Sequence, residues 1–161
     1  MDSKAKALGH PIHQVLIVFP LGLLVTAVIF DIIHLFTGGR DFSLAAAYVM
    51  AAGLIGGVIA GIFGLVDWLA IPARSRAKRI GALHGLGNVV VLLLFLGSWL
   101  LRANSVDWVP GALALVLSFA GVVLGGVTGW LGGELVDRLG VGVHEGANVD
   151  APSSLTHRRA A

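Results

Sequence analysis

Four long apolar runs, separated by short polar breaks, constrain this chain more than any other feature of its sequence. They cover residues 11–36, 44–71, 81–101 and 109–136. A helix needs roughly 20 apolar residues to cross the ~30 Å hydrocarbon core of a bilayer, and each run is long enough. We therefore predict an all-α fold, an integral membrane four-helix bundle.

The composition supports a membrane protein of one domain. Hydrophobic residues make up 57% of the chain and charged residues only 12%, which is far more apolar than a soluble domain of this size tolerates. We predict a four-span domain over residues 1–143 and a disordered polar tail over 144–161. Since the chain has no cysteine, a bound metal would have to use histidine, carboxylate or backbone ligands.

The basic residues predict the orientation of the bundle. Nine of them fall on one side of the four-span arrangement, against Arg40 and Arg102 on the other. An excess of Lys and Arg marks the cytoplasmic side, so both termini are predicted to be cytoplasmic in a bacterial inner membrane. Short basic loops between spans do not indicate nucleic-acid binding. The nine residues are Lys4, Lys6, Arg74, Arg76, Lys78, Arg79, Arg138, Arg158 and Arg159.

Glycines recur every four residues in the second and fourth runs. Small residues at this spacing form a face on which neighbouring membrane helices pack closely, and they also leave room for a flat cofactor. The pattern does not choose between these interpretations. The second and fourth runs each end near an acid, and the first and third each begin near a histidine, which hints at a duplicated two-helix unit. The glycines are Gly53, Gly57, Gly61, Gly121, Gly125, Gly129 and Gly133.

Ionisable side chains inside membrane spans are costly and are functional candidates by default. In the predicted orientation one polar layer lies at the cytoplasmic end and draws on all four helices. We expect no comparable set at the outer end, where Asp31 and His34 are three residues apart and suited to hydrogen-bonding each other. The layer consists of His10, His13, Asp67, His84, Asn88 and Glu134.

Each member of this layer also has a structural interpretation. His10 precedes Pro11 and suits a water-facing helix start. His13 and His84 lie one turn inside, where a hydrogen-bonded packing histidine is the ordinary alternative to a ligand. Asp67 could pair with a nearby arginine, and Glu134 could form an interfacial salt bridge.

Three segments of the chain resemble a family of bacterial membrane proteins grouped as domain of unknown function 2231. They are "GHPIHQVLIVFPLGLL", "GLVDWLAIPARSRAKRIGALHGLGN" and "WLGGELVDRLGVGV". In the middle segment Asp67, Trp68, His84 and Asn88 fall on positions that recur in the family. Some relatives carry an appended Rieske-type iron-sulfur domain, so the resemblance implies a role in membrane electron transfer with a Rieske-type partner.

Three functional hypotheses follow, and they stay open at the level of sequence. In the first, His13 and His84 ligate a haem b or a single metal ion, with Asp67 and His10 as alternative ligands. Asn88 and Glu134 would then orient these ligands. In the second, the layer belongs to a proton or ion relay. In the third, the chain is a structural subunit that binds lipid and partner proteins or further copies of itself, without a cofactor.

A stand-alone hydrolase is not predicted. The sequence offers no pairing of a nucleophile with a base, no phosphate-binding loop and no zinc helix with a catalytic glutamate.

Overall fold

Four long helices account for the four apolar runs in a computed structural model that describes residues 1–155. We call them spans 1 to 4, and each is long and apolar enough to cross a membrane. A two-stranded antiparallel ribbon, Lys6–Ala7 with His10–Pro11, precedes them. The spans are Ile12–Thr37, Arg40–Ala70, Arg76–Ala103 and Ala112–Arg138.

Two of the spans contain a local irregularity. Span 1 consists of Ile12–Leu16 and Val18–Thr37, because Pro20 has no N–H to donate to the carbonyl of Leu16. Span 4 runs as an α-helix over Ala112–Gly133 and then widens into a π-helical turn, Glu134–Arg138. A short 3-10 turn, Val106–Trp108, connects spans 3 and 4.

The spans alternate in direction, and each packs against two others. Span 1 contacts spans 2 and 4, and span 3 contacts the same two, so spans 1 and 3 face each other diagonally across the bundle. Both termini of the described chain lie at one end, which we call the terminal end. There the Met1 ammonium donates to the carbonyl of Gly140 at 2.9 Å. The opposite, distal end carries the connections after spans 1 and 3.

Spans 2 and 3 begin about one turn earlier than the apolar pattern predicts. Span 2 begins at Arg40 with Asp41 in its first turn, where a carboxylate interacts favourably with the helix dipole. Span 3 begins at Arg76 because the Ser75 hydroxyl accepts a hydrogen bond from the Lys78 amide at 3.0 Å. Polar first turns of this kind extend membrane helices beyond the hydrocarbon, so hydropathy underestimates their length.

The exterior of the bundle carries many large apolar side chains. Seven apolar residues form the central core, and large aliphatic side chains such as Leu35, Ile55 and Leu93 point outward, 57%, 64% and 59% exposed. A soluble protein would bury such side chains, whereas lipid solvates them. The core residues are Leu24, Ala27, Val28, Ala46, Met50, Val91 and Phe95.

Three glycines of the four-residue ladders serve close helix packing, among them Gly57, where a Cβ would lie 2.6 Å from the Leu92 side chain. A Cβ at Gly53 would lie 2.8 Å from the Leu24 side chain, and one at Gly121 would lie 2.8 Å from the Phe95 ring. Any side chain there would force the helices apart. Gly61 and Gly129, further along the ladders, face open space.

Part of the polar tail contacts the N-terminal ribbon. Residues 144–155 form turns without helix or strand, and the Ser154 hydroxyl donates to the carbonyl of Leu8 at 3.0 Å. Residues 156–161 lie outside the described part of the chain, and disorder of the tail stays a prediction.

We expect the substitution Gly121→Val to destabilise the bundle, because the new side chain must displace the buried ring of Phe95. Overpacking of this kind costs about 1–3 kcal/mol, which lowers the melting temperature by several degrees in detergent. Gly126→Val in the same span is the control, since a Cβ at Gly126 meets open space. Equal melting temperatures for the two variants would contradict the packing described here.

Candidate functional site

Two histidines face each other near the terminal end of the bundle. The ring centroids of His13, in span 1, and His84, in span 3, are 6.3 Å apart, and the ring planes are perpendicular at 89°. Because these spans are diagonal neighbours, the two imidazoles meet near the bundle axis. The sequence predicts both in one layer, and the structure brings them together.

The two imidazoles are held in the same way. His13 Nδ1 lies 2.8 Å from the carbonyl oxygen of Ala60, and His84 Nδ1 lies 2.8 Å from that of Thr128. A carbonyl only accepts hydrogen bonds, so each Nδ1 carries the proton and each neutral ring keeps a lone pair on Nε2. This arrangement is common in histidines that bind metals, where a second hydrogen bond fixes the tautomer and the ring orientation.

A glycine on the neighbouring span makes room for each ring. A Cβ at Gly64 would lie 2.9 Å from the His13 ring, and one at Gly132 would lie 3.0 Å from the His84 ring. The Nδ1–Cε1 edge of each ring therefore lies close against the backbone of span 2 or span 4. Neither glycine was singled out in the sequence analysis, because each looks like ordinary small-residue packing.

Asn88 and Thr128 complete the polar contacts of His84. The Asn88 amide nitrogen donates to the carbonyl oxygen of His84 at 2.9 Å and lies 3.2 Å from its Nε2. The Thr128 hydroxyl donates to Asn88 Oδ1 at 3.0 Å, which fixes the direction of the amide. Asn88 was predicted to belong to the layer, whereas the contribution of Thr128 was missed.

Asp67 lies apart from the two imidazoles and binds the N-terminal strap, by which we mean residues 1–11. The Ser3 hydroxyl donates to both of its carboxylate oxygens, at 2.8 and 2.9 Å. The backbone amides of Lys4 and Ala5 donate to one of those oxygens at 2.7 and 3.3 Å. The carboxylate thus anchors the strap to the end of span 2, and none of these donors could be inferred from helix periodicity.

The other two predicted members of the layer also have partners of their own. Glu134 accepts from Arg76 at 2.6 Å, an interfacial ion pair. His10 is exposed, with its Nε2 3.3 Å from the Ser154 hydroxyl. Within residues 1–155 no three His, Asp or Glu side chains gather closely enough to hold a metal ion. His13 and His84 are therefore a pair of candidate ligands without a nearby carboxylate.

A second polar cluster lies near the distal end, where the sequence analysis expected nothing comparable. Asp31 and Arg102 are both completely buried and form a two-pronged ion pair, with nitrogen–oxygen distances of 2.5 and 2.6 Å. Ser118 donates to Asp31 at 3.2 Å, and Ser98 accepts from Arg102 Nε at 3.3 Å. The expectation that this end has no comparable set of polar residues is wrong, because Arg102 is an interior residue and not a loop cation.

The expected hydrogen bond between Asp31 and His34 does not form. His34 instead lies with Nδ1 3.0 Å from the carbonyl oxygen of Gly39, at the end of its own helix. Asp31 turns inward to Arg102, because a carboxylate buried at this depth needs a counter-charge more than a neutral imidazole.

The two polar clusters are separated by apolar side chains. The core residues Leu24 and Val28 lie between His13 and Asp31 along span 1, and Val91 and Phe95 lie between His84 and Arg102 along span 3.

An open surface groove of about 470 Å³ lies elsewhere, on the outer side of span 4, and Trp130, Glu134 and Arg138 are among its lining residues.

The comparison with known proteins fits this arrangement of spans. A family model described as a predicted membrane protein, DUF2231, matches residues 9–145. The chain belongs to the DUF2231 family. The matched region contains all four spans, so the chain is a helical membrane protein of this family. No curated protein and no solved structure matches the chain.

In this DUF2231 protein we expect Asp67→Ala to release the N-terminal strap while leaving the four spans folded. The substitution removes the acceptor for three donors, at Ser3, Lys4 and Ala5. Hydrogen–deuterium exchange should rise over residues 1–11 and stay unchanged within the spans. Asp137→Ala is the control, because Asp137 is exposed on span 4. A strap that exchanges at the same rate in both variants would contradict the assignment.

Proposed function

We propose that His13 and His84 are the two ligands of a redox centre, a haem b or a single metal ion, and that the protein carries electrons in the bacterial cytoplasmic membrane. One observation carries this proposal. The two imidazoles meet near the bundle axis, and both have Nδ1 on a backbone carbonyl, which leaves two Nε2 atoms as ligands. Neutral imidazole is a common ligand of iron, copper and zinc.

The spacing of the two rings suits a metal ion bound by both histidines. The ring centroids are 6.3 Å apart, and a metal–imidazole nitrogen bond is about 2.0–2.1 Å long, so His13 and His84 are close enough that they could hold one metal ion between them. The number of donors then favours haem over a bare ion. His13 and His84 would be the two protein ligands of a haem, whereas a structural zinc ion takes four ligands, and Asp67 and Glu134 are held elsewhere.

The residues around the pair would tune the ligands. The carbonyls of Ala60 and Thr128 keep both imidazoles in the tautomer that ligates through Nε2. The Asn88 amide lies 3.2 Å from His84 Nε2, so it must give way when that nitrogen takes a ligand, while its oxygen keeps the Thr128 hydrogen bond. A bound haem would supply one-electron transfer.

The relay hypothesis has less support than the redox hypothesis. A proton or ion path needs polar groups between the two ends of the bundle. The core cluster around Leu24, Met50 and Phe95 lies between the histidines and the Asp31–Arg102 pair. The purely structural hypothesis remains as the alternative that the following experiment distinguishes.

The proposed electron partner is a Rieske-type iron-sulfur protein. The resemblance to the DUF2231 family and the position of the histidines both support it. Family relatives with a Rieske-type domain favour an iron-sulfur partner. The histidines lie at the terminal end, to which the Lys and Arg residues of the loops also belong, so a partner docking on the cytoplasmic side would approach them most closely.

We expect protein purified from native-like membranes to show a haem absorption spectrum or a stoichiometric metal content. His13→Ala and His84→Ala should each lose the bound species, because each removes one of two ligands. His34→Ala is the matched control, since His34 Nδ1 also bonds a backbone carbonyl, at the distal end. Absorption spectroscopy and elemental analysis on the four proteins provide the measurement.

A colourless, metal-free preparation that added haem does not reconstitute would exclude this function. If His13→Ala and His84→Ala then lower only the melting temperature, the pair is structural and the third hypothesis holds.

We expect both termini to face the cytoplasm. Since Arg102 is buried, Arg40 is the one remaining exposed cation among described distal residues, and it pairs with Asp107 at 2.7 Å. The bias of Lys and Arg toward the terminal end is thus stronger than the sequence alone indicates. A reporter enzyme active only in the periplasm should be inactive at the C-terminus and active when inserted at Gly38. The opposite pattern would reverse the orientation.

A further inference from the structure

The buried positions of span 1 recur in span 3 with a constant shift. Asp31 and Arg102 are 71 residues apart, and the same shift relates His13 to His84. In both spans the buried residues fall on one stripe that ends at the charged residue. The buried pairs related by the shift are Pro20 and Val91, Leu24 and Phe95, Ala27 and Ser98, and Asp31 and Arg102.

Spans 2 and 4 repeat in the same manner, with a shift shorter by three residues. The glycine ladders correspond under this shift, so Gly53 matches Gly121. The second hairpin is therefore three residues shorter between equivalent buried positions, although the connection between its spans is the longer one, and the buried stripe is unchanged. The buried pairs are Ala46 and Ala114, Met50 and Ser118, Gly53 and Gly121, and Ala60 and Thr128.

The contacts repeat along with the positions. His13 bonds the carbonyl of Ala60 as His84 bonds that of Thr128, both at 2.8 Å. Likewise Leu24 packs on Gly53 as Phe95 packs on Gly121. Matching residues therefore occupy matching environments, which a chance recurrence of apolar residues would not produce.

We infer that the chain consists of two copies of one helical hairpin, residues 12–70 and 76–138, which pack about a pseudo-twofold axis along the bundle. The axis passes between His13 and His84 at the terminal end and between Asp31 and Arg102 at the distal end. Spans 1 and 3 run in the same direction, so the repeat is parallel and not inverted.

The two copies differ in charge at one buried position on this axis. A hairpin paired with an identical copy would bring two Asp31 carboxylates, or two Arg102 guanidiniums, into contact away from water. Like charges at that separation in a low dielectric are strongly unfavourable. Each hairpin thus presents an interaction surface to the other. Because of the Asp31–Arg102 pair, a hairpin that carries one charge at this position needs a partner with the opposite charge at the equivalent position.

A charge exchange in the full-length chain tests this equivalence. The single variants Asp31→Arg and Arg102→Asp bury like charges and should lower the melting temperature by about 10 °C or more, or prevent recovery of monodisperse protein. The double variant carrying both substitutions should return to within about 4 °C of the parent, as a rearranged but matched core does.

Two further variants keep the test interpretable. Arg40→Asp reverses a cation in the exposed distal pair Arg40–Asp107, whose side chains are 68% and 47% accessible, and should change the melting temperature little. The neutral double variant Asp31→Asn with Arg102→Gln reports the cost of removing charge without changing its sign. If the double variant Asp31→Arg with Arg102→Asp is as unstable as the two single variants, the inference is wrong, whatever the stability of the neutral double variant.

Discussion

The burial of Asp31 against Arg102 is the interaction on which the arrangement of the bundle depends. Lipid offers no hydrogen-bond partners, so charges at this depth must be satisfied entirely by protein. The guanidinium bonds both oxygens of the carboxylate, and the hydroxyls of Ser98 and Ser118 supply further contacts. Such a pair tolerates little sliding or rotation of its helices, so it fixes the register of spans 1 and 3 across the diagonal. Register at the distal end in turn sets which residues meet at the terminal end.

The close approach of the His13 and His84 rings depends on that register and on one glycine in each of the neighbouring spans. Both rings lie against helix backbones at Gly64 and Gly132, a closeness that any side chain would prevent. Two separate backbone carbonyls then hold the rings in one tautomer. The bundle therefore presents two preorganised imidazoles, and among residues 1–155 no third His, Asp or Glu joins them in a group that could hold a metal ion.

Much of the architecture follows from hydropathy alone, because lipid imposes a simple rule on helix length and composition. The four spans, and the common depth of His13 and His84, could be predicted from that rule together with the alternation of helix direction. Arg102 was misassigned because hydropathy treats every arginine near a helix end as a loop residue. Asp67 was placed at the correct end, but its partners come from an N-terminal strap whose path has no periodic signal. Depth along a membrane helix is thus readable from sequence, whereas the direction of a side chain is not.

The tie between the first residue and the end of the fourth span has a consequence for how the protein is made. The Met1 ammonium donates to Gly140, and the Met1 carbonyl accepts from the Gly142 amide. These bonds join the strap to the segment that follows span 4. The strap can dock on Asp67 once span 2 is in place, but its contacts with Gly140 and Gly142 require span 4, so the terminal end of the bundle is assembled only when the last span has packed.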